Sequence, residues 1–278
     1  MPKAKVNEVN IDYAVHGRGE PLVLIMAFAA PRRAWFFQTR AFRKYYKVIT
    51  FDNRGVGKTD KPSEPYTVRT MADDTIGLMD YLNIDRAHIL GISLGSLIAQ
   101  EVAINYPERV RKLILVAAIA VGEGMREVTE GMRRALGLEE GYSEEEARNV
   151  MNNNVMNNID VMKYFTRLTA LSFNKRLYRV FIVPLSKKQA KRVGYKGLMG
   201  QIQASSSCET LDKLHTIEAP TLVLVGAEDR VIPPHSSDVI ASRIPHARLV
   251  KVDGGSHVLF LEMRGRFNKE VLNFLKGS

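Results

Sequence analysis

The sequence predicts an α/β fold in which a mostly parallel sheet carries helices on both faces. Apolar, β-branched runs alternate along the chain with segments whose apolar residues recur at i, i+3 and i+4, which is typical of buried strands alternating with helices. The 278 residues are 45% hydrophobic and 25% charged, as in globular proteins, and suffice for one large domain or two small ones.

The predicted elements follow in chain order. An initial hairpin of alternating strands is expected at residues 5–9 and 11–15. Two helices are expected at residues 70–82 and 94–106, and Pro107 ends the second. Six runs are typical of strands, most of them buried on both faces: residues 22–26, 48–51, 88–92, 113–116, 221–225 and 248–252.

Residues 119–214 interrupt this alternation. They are helical in period, contain no convincing strand and carry six of the eleven methionines. We therefore predict a core domain of residues 1–118 and 215–278, with a helical cap of residues 119–214 inserted between two strands. A methionine-rich helical layer is typical of core packing, and it also suits the wall of an adaptable apolar pocket.

The charge balance is strongly basic, with 40 Lys and Arg against 30 Asp and Glu, a net charge of +10. Residues 163–196 hold ten Lys or Arg and no acid. A solvated basic face is the simpler interpretation, and attraction of anionic substrates or surfaces is the alternative. No helix-turn-helix, zinc-finger, RNP-type or OB-type pattern is present, so nucleic acid is not an expected partner.

Compartment and cofactors follow from absent patterns. The N-terminus has no apolar stretch of signal-peptide length, and residues 21–30 are too short to span a bilayer. With the single cysteine, Cys208, this predicts a soluble cytoplasmic protein without a membrane span. The oligomeric state stays open, with a monomer or a homodimer expected. The six histidines are scattered, and neither a G-x-G-x-x-G turn nor a P-loop lysine occurs, so neither metal nor cofactor is expected.

The first motif with chemical meaning is Gly91-Ile92-Ser93-Leu94-Gly95, a G-x-S-x-G pattern. It follows a predicted buried strand and opens a predicted helix, which is the arrangement of a nucleophile elbow. The glycines let strand and helix approach, and the Leu94 N–H at the helix start is placed to donate to an oxyanion. The alternative is an ordinary turn with a capping serine.

A serine hydroxyl needs a base to become a good nucleophile. Asp229 follows the predicted strand at residues 221–225, and His257 follows the last predicted strand on a loop with two glycines. The carboxyl ends of parallel strands share one sheet edge, where α/β proteins bind ligands. Serine, acid and histidine in this chain order match the triad order of α/β hydrolases.

The chain as a whole resembles the α/β-hydrolase-fold serine hydrolases, over nearly its full length. Residues 51–60, which read FDNRGVGKTD, resemble the family's D-x-R-G-x-G-x-S stretch, with Asp52 first and Thr59 in place of serine. Residues 220–229, PTLVLVGAED, resemble its P-T-L-x-x-x-G-x-x-D stretch. With the elbow and the Gly-Ser-His at residues 255–257, four motifs stand in the family's order.

The resemblance implies that Ser93 is the nucleophile, His257 the general base and Asp229 the acid that orients it. Glu228 is the fallback acid, and Asp253 is more typical of a turn residue. The family usually has His-Gly after its third strand, where this chain has Met26 and Ala27, and the N–H of Phe28 is then the expected second oxyanion donor. Alanine has less backbone freedom than glycine, so activity is expected to be modest.

These residues together predict hydrolysis of a carboxylic ester or lactone with an apolar acyl or aromatic part. Serine at the elbow argues against the dehalogenases and epoxide hydrolases of this fold, which need aspartate there. Thioester cleavage, carbon–carbon bond hydrolysis, acyl transfer, perhydrolysis and a triad-retaining small-molecule receptor remain alternatives, and an anionic-surface binder is a third class. The residues expected to line the pocket are Phe28, Leu94, Trp35, Met125, Met162 and Phe165.

Overall fold

A computed structural model of the chain describes residues 2–119, 158–206 and 208–277. Eight strands form one sheet in the spatial order β1-β2-β4-β3-β5-β6-β7-β8. The strands are β1 Lys3–Val6, β2 Val9–His16, β3 Pro21–Ile25, β4 Lys47–Phe51, β5 Ala87–Ile92, β6 Val110–Val116, β7 Thr221–Gly226 and β8 Ala247–Val252. The first two pairings are antiparallel and the rest are parallel, which confirms the predicted fold class.

Eight α-helices are described around this sheet. They are α1 Phe36–Phe42, α2 Val68–Tyr81, α3 Leu94–Asn105, α4 Asn158–Ser172, α5 Arg176–Ser206, α6 Pro234–Arg243, α7 Leu259–Glu262 and α8 Arg264–Lys276. Of these, α5 consists of two helical segments that meet at a kink at Gly194, where φ is 73° and ψ is 169°. The start of α2 lies two residues before the predicted one. Thr67 caps it, because its side chain accepts from the Thr70 N–H while the Thr70 hydroxyl accepts from the Thr67 N–H.

The initial hairpin is present, but its first strand ends earlier than the predicted residues 5–9. Asn7 and Glu8 form the turn with φ of 42° and 67°. Apolar and polar residues alternate through this segment, so the periodicity gave no sign of the turn. Only the left-handed backbone at these two residues separates β1 from β2.

The central strands are buried on both faces, because side chains of successive residues point to opposite sides of a sheet. Val23 and Ile25 contribute to one apolar cluster with α2 and α3. Leu22 and Leu24 contribute to the other, with α1 and α8. This explains why the strands of the parallel part are continuous apolar runs rather than alternating ones.

Between β6 and β7 the described residues form two α-helices, α4 and α5, and a short 3-10 helix at Leu211–Thr216. The two α-helices build a third apolar cluster with Ala29 and Val56 at the carboxyl edge of the sheet. The helices meet the core at glycines: a Cβ on Gly197 would lie 2.2 Å from the Gly55 carbonyl oxygen. The cap boundaries at residues 119 and 214 stay a prediction, since residues 120–157 lie outside the described part. In the described part, no helix is long and apolar enough to cross a membrane.

Candidate active site

Ser93 connects β5 to α3 in an unusual backbone conformation, with φ of 54° and ψ of −120°. This conformation stores about 1–3 kcal/mol of strain, so the surrounding packing must impose it. Both flanking glycines are needed for that packing. A Cβ on Gly91 would lie 2.0 Å from the Gly95 carbonyl oxygen, and one on Gly95 would lie 2.4 Å from that of Ile25.

Hydrogen bonds from β6 and α3 hold this turn. The Ser93 N–H donates to the Val116 carbonyl at 3.0 Å. The Ser96 hydroxyl donates to the Ser93 carbonyl at 2.6 Å and accepts from the Ile119 N–H at 3.1 Å. Ser96 therefore ties the turn to the chain that follows β6, and Ser93 Oγ takes no part in this bonding.

Asp229 and His257 form a buried pair, each about 6% exposed. His257 Nδ1 lies 2.8 Å from Asp229 Oδ2. An ionised carboxylate only accepts, so Nδ1 carries the proton and Nε2 is the basic nitrogen. The other carboxylate oxygen, Oδ1, accepts the N–H groups of Val231 at 2.8 Å and Ile232 at 2.9 Å, which fixes the aspartate.

The loops that carry this pair pack directly on each other. The Glu228 N–H donates to the Gly255 carbonyl at 2.9 Å. A Cβ on Gly226 would lie 2.3 Å from that same oxygen, so only glycine permits the approach. The Ser256 hydroxyl donates to the buried Glu262 carboxylate. Glu262 also accepts the Lys175 N–H at 2.8 Å and thereby ties the α4–α5 turn to the histidine loop.

All three predicted residues lie at the carboxyl edge of the parallel strands, Ser93 after β5, Asp229 after β7 and His257 after β8. The strands β5 to β8 are consecutive in the sheet. Within the described residues, no hydrogen bond joins Ser93 Oγ to His257. The structure therefore brings the three to one edge and joins two of them directly.

The loop after β3 carries Phe28, the expected second oxyanion donor. The Asn53 side chain donates to the Met26 carbonyl at 2.9 Å, and Ala29 has a φ of 54°. The left-handed residue of this loop is therefore Ala29, and not the Ala27 that stands in the family's glycine position. The Ala29 N–H donates to Gln201 of α5 at 2.8 Å.

Buried charged side chains that follow β4 form hydrogen bonds close to the loop after β3. The Asp52 carboxylate accepts the N–H groups of Arg32 at 2.7 Å and Lys58 at 3.0 Å, while burial raises the pKa of Asp52. Thr59, which replaces the family's serine, donates its hydroxyl to the Asp52 carbonyl at 2.6 Å. Arg54 forms two 2.6 Å bonds to Asp74. The side chains of Asp52, Arg54 and Thr59 in the motif at residues 51–60 therefore form hydrogen bonds that hold the loops together.

Comparison with known protein families finds one family that matches most of this chain. The alpha/beta hydrolase fold family matches residues 20–263.

The chain belongs to the α/β hydrolase fold family.

Its relatives include hydrolases of several kinds and a protein assigned as a non-heme bromoperoxidase in Mycobacterium tuberculosis, 27% identical over 96% of this chain and 97% of the relative. A protein assigned as a carbamate hydrolase in Azorhizobium caulinodans is 26% identical, over 99% of this chain and 98% of the relative. A poly(3-hydroxyalkanoate) depolymerase of Ectopseudomonas oleovorans is 29% identical, over 92% and 84%. The solved structure of an N-acyl homoserine lactone degrading enzyme is 27% identical, covers 98% of this chain and 100% of its own, and has a TM-score of 0.79. The family and these relatives support a hydrolase.

The predicted pocket residues of this α/β hydrolase fall in different places. Phe28 and Phe165 come together, with ring centroids 6.0 Å apart, in the cluster under α4 and α5. Trp35 is fully buried in the cluster on the α1 and α8 face, 5.0 Å from the Phe260 ring, so it fills the core and does not line this region. Met125 and the Met162 side chain lie outside the described residues.

Three residues that support the site are not among the predicted site residues: Asn53, Gln201 and Glu262. Asn53 lies inside the recognised motif, and its polar side chain between two strand-end loops is a usable signal. Gln201 lies in the segment predicted to be helical, and Glu262 lies in α7; in a helix, the sequence does not distinguish a buried polar side chain from an exposed one. Among the described residues, no group of three or more His, Cys, Asp or Glu is placed to hold a metal ion.

Proposed function

We propose that this protein hydrolyses a carboxylic ester or lactone with an apolar acyl or aromatic part, through an acyl-enzyme on Ser93. The observation that carries the proposal is the buried His257–Asp229 pair at the same sheet edge as a serine on a strained strand-to-helix turn. A serine in that conformation exposes its Oγ above the sheet, and a histidine oriented by a carboxylate is the base it requires.

The reaction proceeds in two acyl-transfer steps. Ser93 Oγ attacks the carbonyl carbon while His257 Nε2 takes its proton, and His257 then protonates the leaving alcohol. Water attacks the acyl-enzyme with the same base and releases the acid, and a lactone gives one hydroxy acid by the same steps. The Asp229 carboxylate stabilises the imidazolium that forms.

The backbone N–H groups of Leu94 and Phe28 are the proposed donors to the oxyanion. Leu94 begins α3, where the helix dipole adds to the field, and the loop of Phe28 lies against the α3 start, since a Cβ on Gly95 would lie 2.9 Å from the Met26 carbonyl oxygen. Loss of one such donor costs about 3–4 kcal/mol of transition-state stabilisation. Ser93 and His257 must also close to hydrogen-bond distance, a contact that often tightens only in the substrate complex.

The preference for apolar substrates rests on the Phe28–Phe165 pair. These rings lie where the third apolar cluster meets the oxyanion loop. The polyester depolymerase and lactone-degrading enzyme, at 29% and 27% identity, support an ester or lactone bond. Another relative is assigned as a carbamate hydrolase, so the relatives do not agree on the leaving group of the substrate.

The test is hydrolysis of p-nitrophenyl esters from acetate to decanoate and of acyl homoserine lactones, by wild type and Ser93→Ala. Ser242→Ala is the matched control, because its hydroxyl bonds only within α6. We expect turnover that Ser93→Ala lowers by several orders of magnitude and Ser242→Ala leaves unchanged. Equal rates in wild type and Ser93→Ala contradict the proposal, and tight ligand binding without turnover indicates a receptor.

A further inference from the structure

The outer side of α5 exposes an unusual amount of apolar surface. Leu177, Val180, Phe181 and Leu185 are 67%, 59%, 63% and 61% exposed. These are four of the nine large hydrophobic side chains that the described residues expose, and they fall within nine consecutive positions. Scattered single hydrophobic residues are normal on a surface, whereas a contiguous group marks an interaction site.

The four side chains share one face of the helix. At about 100° per residue they occupy an arc of roughly 140°, and the exposed Pro184 falls inside it. One to two turns further on, four exposed basic residues continue the same stripe: Lys187, Lys188, Lys191 and Arg192. We name these nine residues, from Leu177 to Arg192, the α5 face.

The basic side chains of the α5 face are not paired with acids in the part of the chain that the structure describes. Within the described residues none of its four basic groups forms an ion pair. The sequence has no Asp or Glu from residue 163 to residue 206, so no acid adjoins them along α5. Among the described residues, the face therefore presents four basic side chains without an ion-pairing acid, beside exposed leucine, valine and phenylalanine side chains.

We propose that the α5 face binds the surface of an anionic lipid bilayer, with the helix lying in the plane of the headgroups. Apolar side chains on one stretch and Lys or Arg on the same exposed stripe suit the boundary between acyl chains and anionic headgroups. A second copy of the chain fits less well, because it would bring two basic faces together in a protein of net charge +10. A nucleic acid would leave the apolar half uncovered.

The α5 face begins beside the candidate active site. Asn174, two residues before α5, donates its side-chain amide to the Glu228 carboxylate at 3.1 Å, and Glu228 precedes Asp229. A bilayer on the α5 face would therefore lie next to the site. The inference concerns binding alone and holds whether or not Ser93 is the nucleophile.

The experiment is vesicle sedimentation of the full chain with phosphatidylcholine vesicles and with vesicles containing 30% phosphatidylglycerol, at low and high salt. Phe181→Ser is compared with Phe36→Ser, which removes a ring of matching exposure, 62% against 63%. Lys187→Gln/Lys188→Gln is compared with Lys5→Gln/Lys269→Gln, two exposed lysines outside α5. All changes are on the surface, and the lysine pair tests the inference even if a Phe181 variant fails to fold.

We expect the protein to bind only the anionic vesicles, and this binding to weaken as the salt concentration rises. Each α5 variant should lower the partition coefficient about tenfold or more, and each control variant should lower it less than threefold. Three results overturn the inference. The first is equal binding to neutral and anionic vesicles, and the second is an equal loss of binding in the control and α5 variants. The third is that the protein does not bind vesicles and instead forms a dimer that Phe181→Ser dissociates.

Discussion

Gln201 offers the most direct single test of the oxyanion loop. Its side chain forms hydrogen bonds to one backbone group of that loop and to one backbone group of the loop after β4. Its Oε1 accepts the Ala29 N–H at 2.8 Å, and its Nε2 donates to the Arg54 carbonyl at 3.1 Å. The residue has no exposed surface. Gln201→Met keeps a side chain of similar length and removes both the acceptor oxygen and the donor nitrogen of the amide.

The magnitude follows from the two groups left behind. A buried backbone donor or acceptor without a partner costs about 1–3 kcal/mol, so the two groups left by Gln201→Met should lower the free energy of unfolding by about 2–6 kcal/mol. Ala29, held at φ of 54°, is then no longer fixed by its N–H. We expect the loop to relax and displace the Phe28 N–H, which lowers kcat about tenfold or more with little change in KM.

Urea unfolding and steady-state ester hydrolysis measure the two effects. With a slope of about 3 kcal/mol per M, the urea midpoint should fall by roughly 1 M. Gln189→Met is the matched control: Gln189 contacts the Ala29 carbonyl at a long 3.4 Å and is only half-buried, so water replaces it and both readouts stay near wild type. If Gln201→Met and Gln189→Met lower stability and kcat equally, the assigned role of Gln201 is refuted.

Three further predictions follow from the site and its surroundings. Asp229→Asn should lower kcat about 10³–10⁴-fold while Glu228→Gln stays within threefold, and steady-state rates that fall equally would contradict the choice of Asp229 as the orienting acid. Glu262→Gln places an amide where the carboxylate accepts the Ser256 hydroxyl and should lower Tm by about 3–8 °C in a thermal melt, and an unchanged melt would show that this contact adds no stability. Burial raises the pKa of the Cys208 thiol, so a thiol-specific dye should label it only in denaturant, and full labelling of the native protein would contradict its placement.

The sheet and the three residues at its edge were predictable because local patterns encode them. Buried parallel strands are apolar runs, and the turn at Ser93 needs glycines at two fixed spacings that the sequence displays. The positions of Asp229 and His257 follow from the strand order, since the carboxyl ends of parallel strands meet at one edge.

The supporting contacts were not predictable, because they join residues far apart in the chain. Gln201 bonds to Ala29, which is 172 positions away in the chain, and no periodic pattern in the sequence indicates such a bond. Trp35 was predicted to line the pocket from its type alone, yet its surroundings place it in the core. The left-handed turn at Asn7 and Glu8 was missed since neither residue is glycine.

The most direct test of the account is covalent labelling with a fluorophosphonate, read by intact-mass spectrometry and peptide mapping. The account predicts one adduct per chain, located on Ser93, absent from Ser93→Ala and strongly slowed in His257→Ala, because the oxygen is reactive only when the histidine removes its proton. A wild type that stays unlabelled, or an adduct on another serine, would contradict the assignment of Ser93 as the nucleophile.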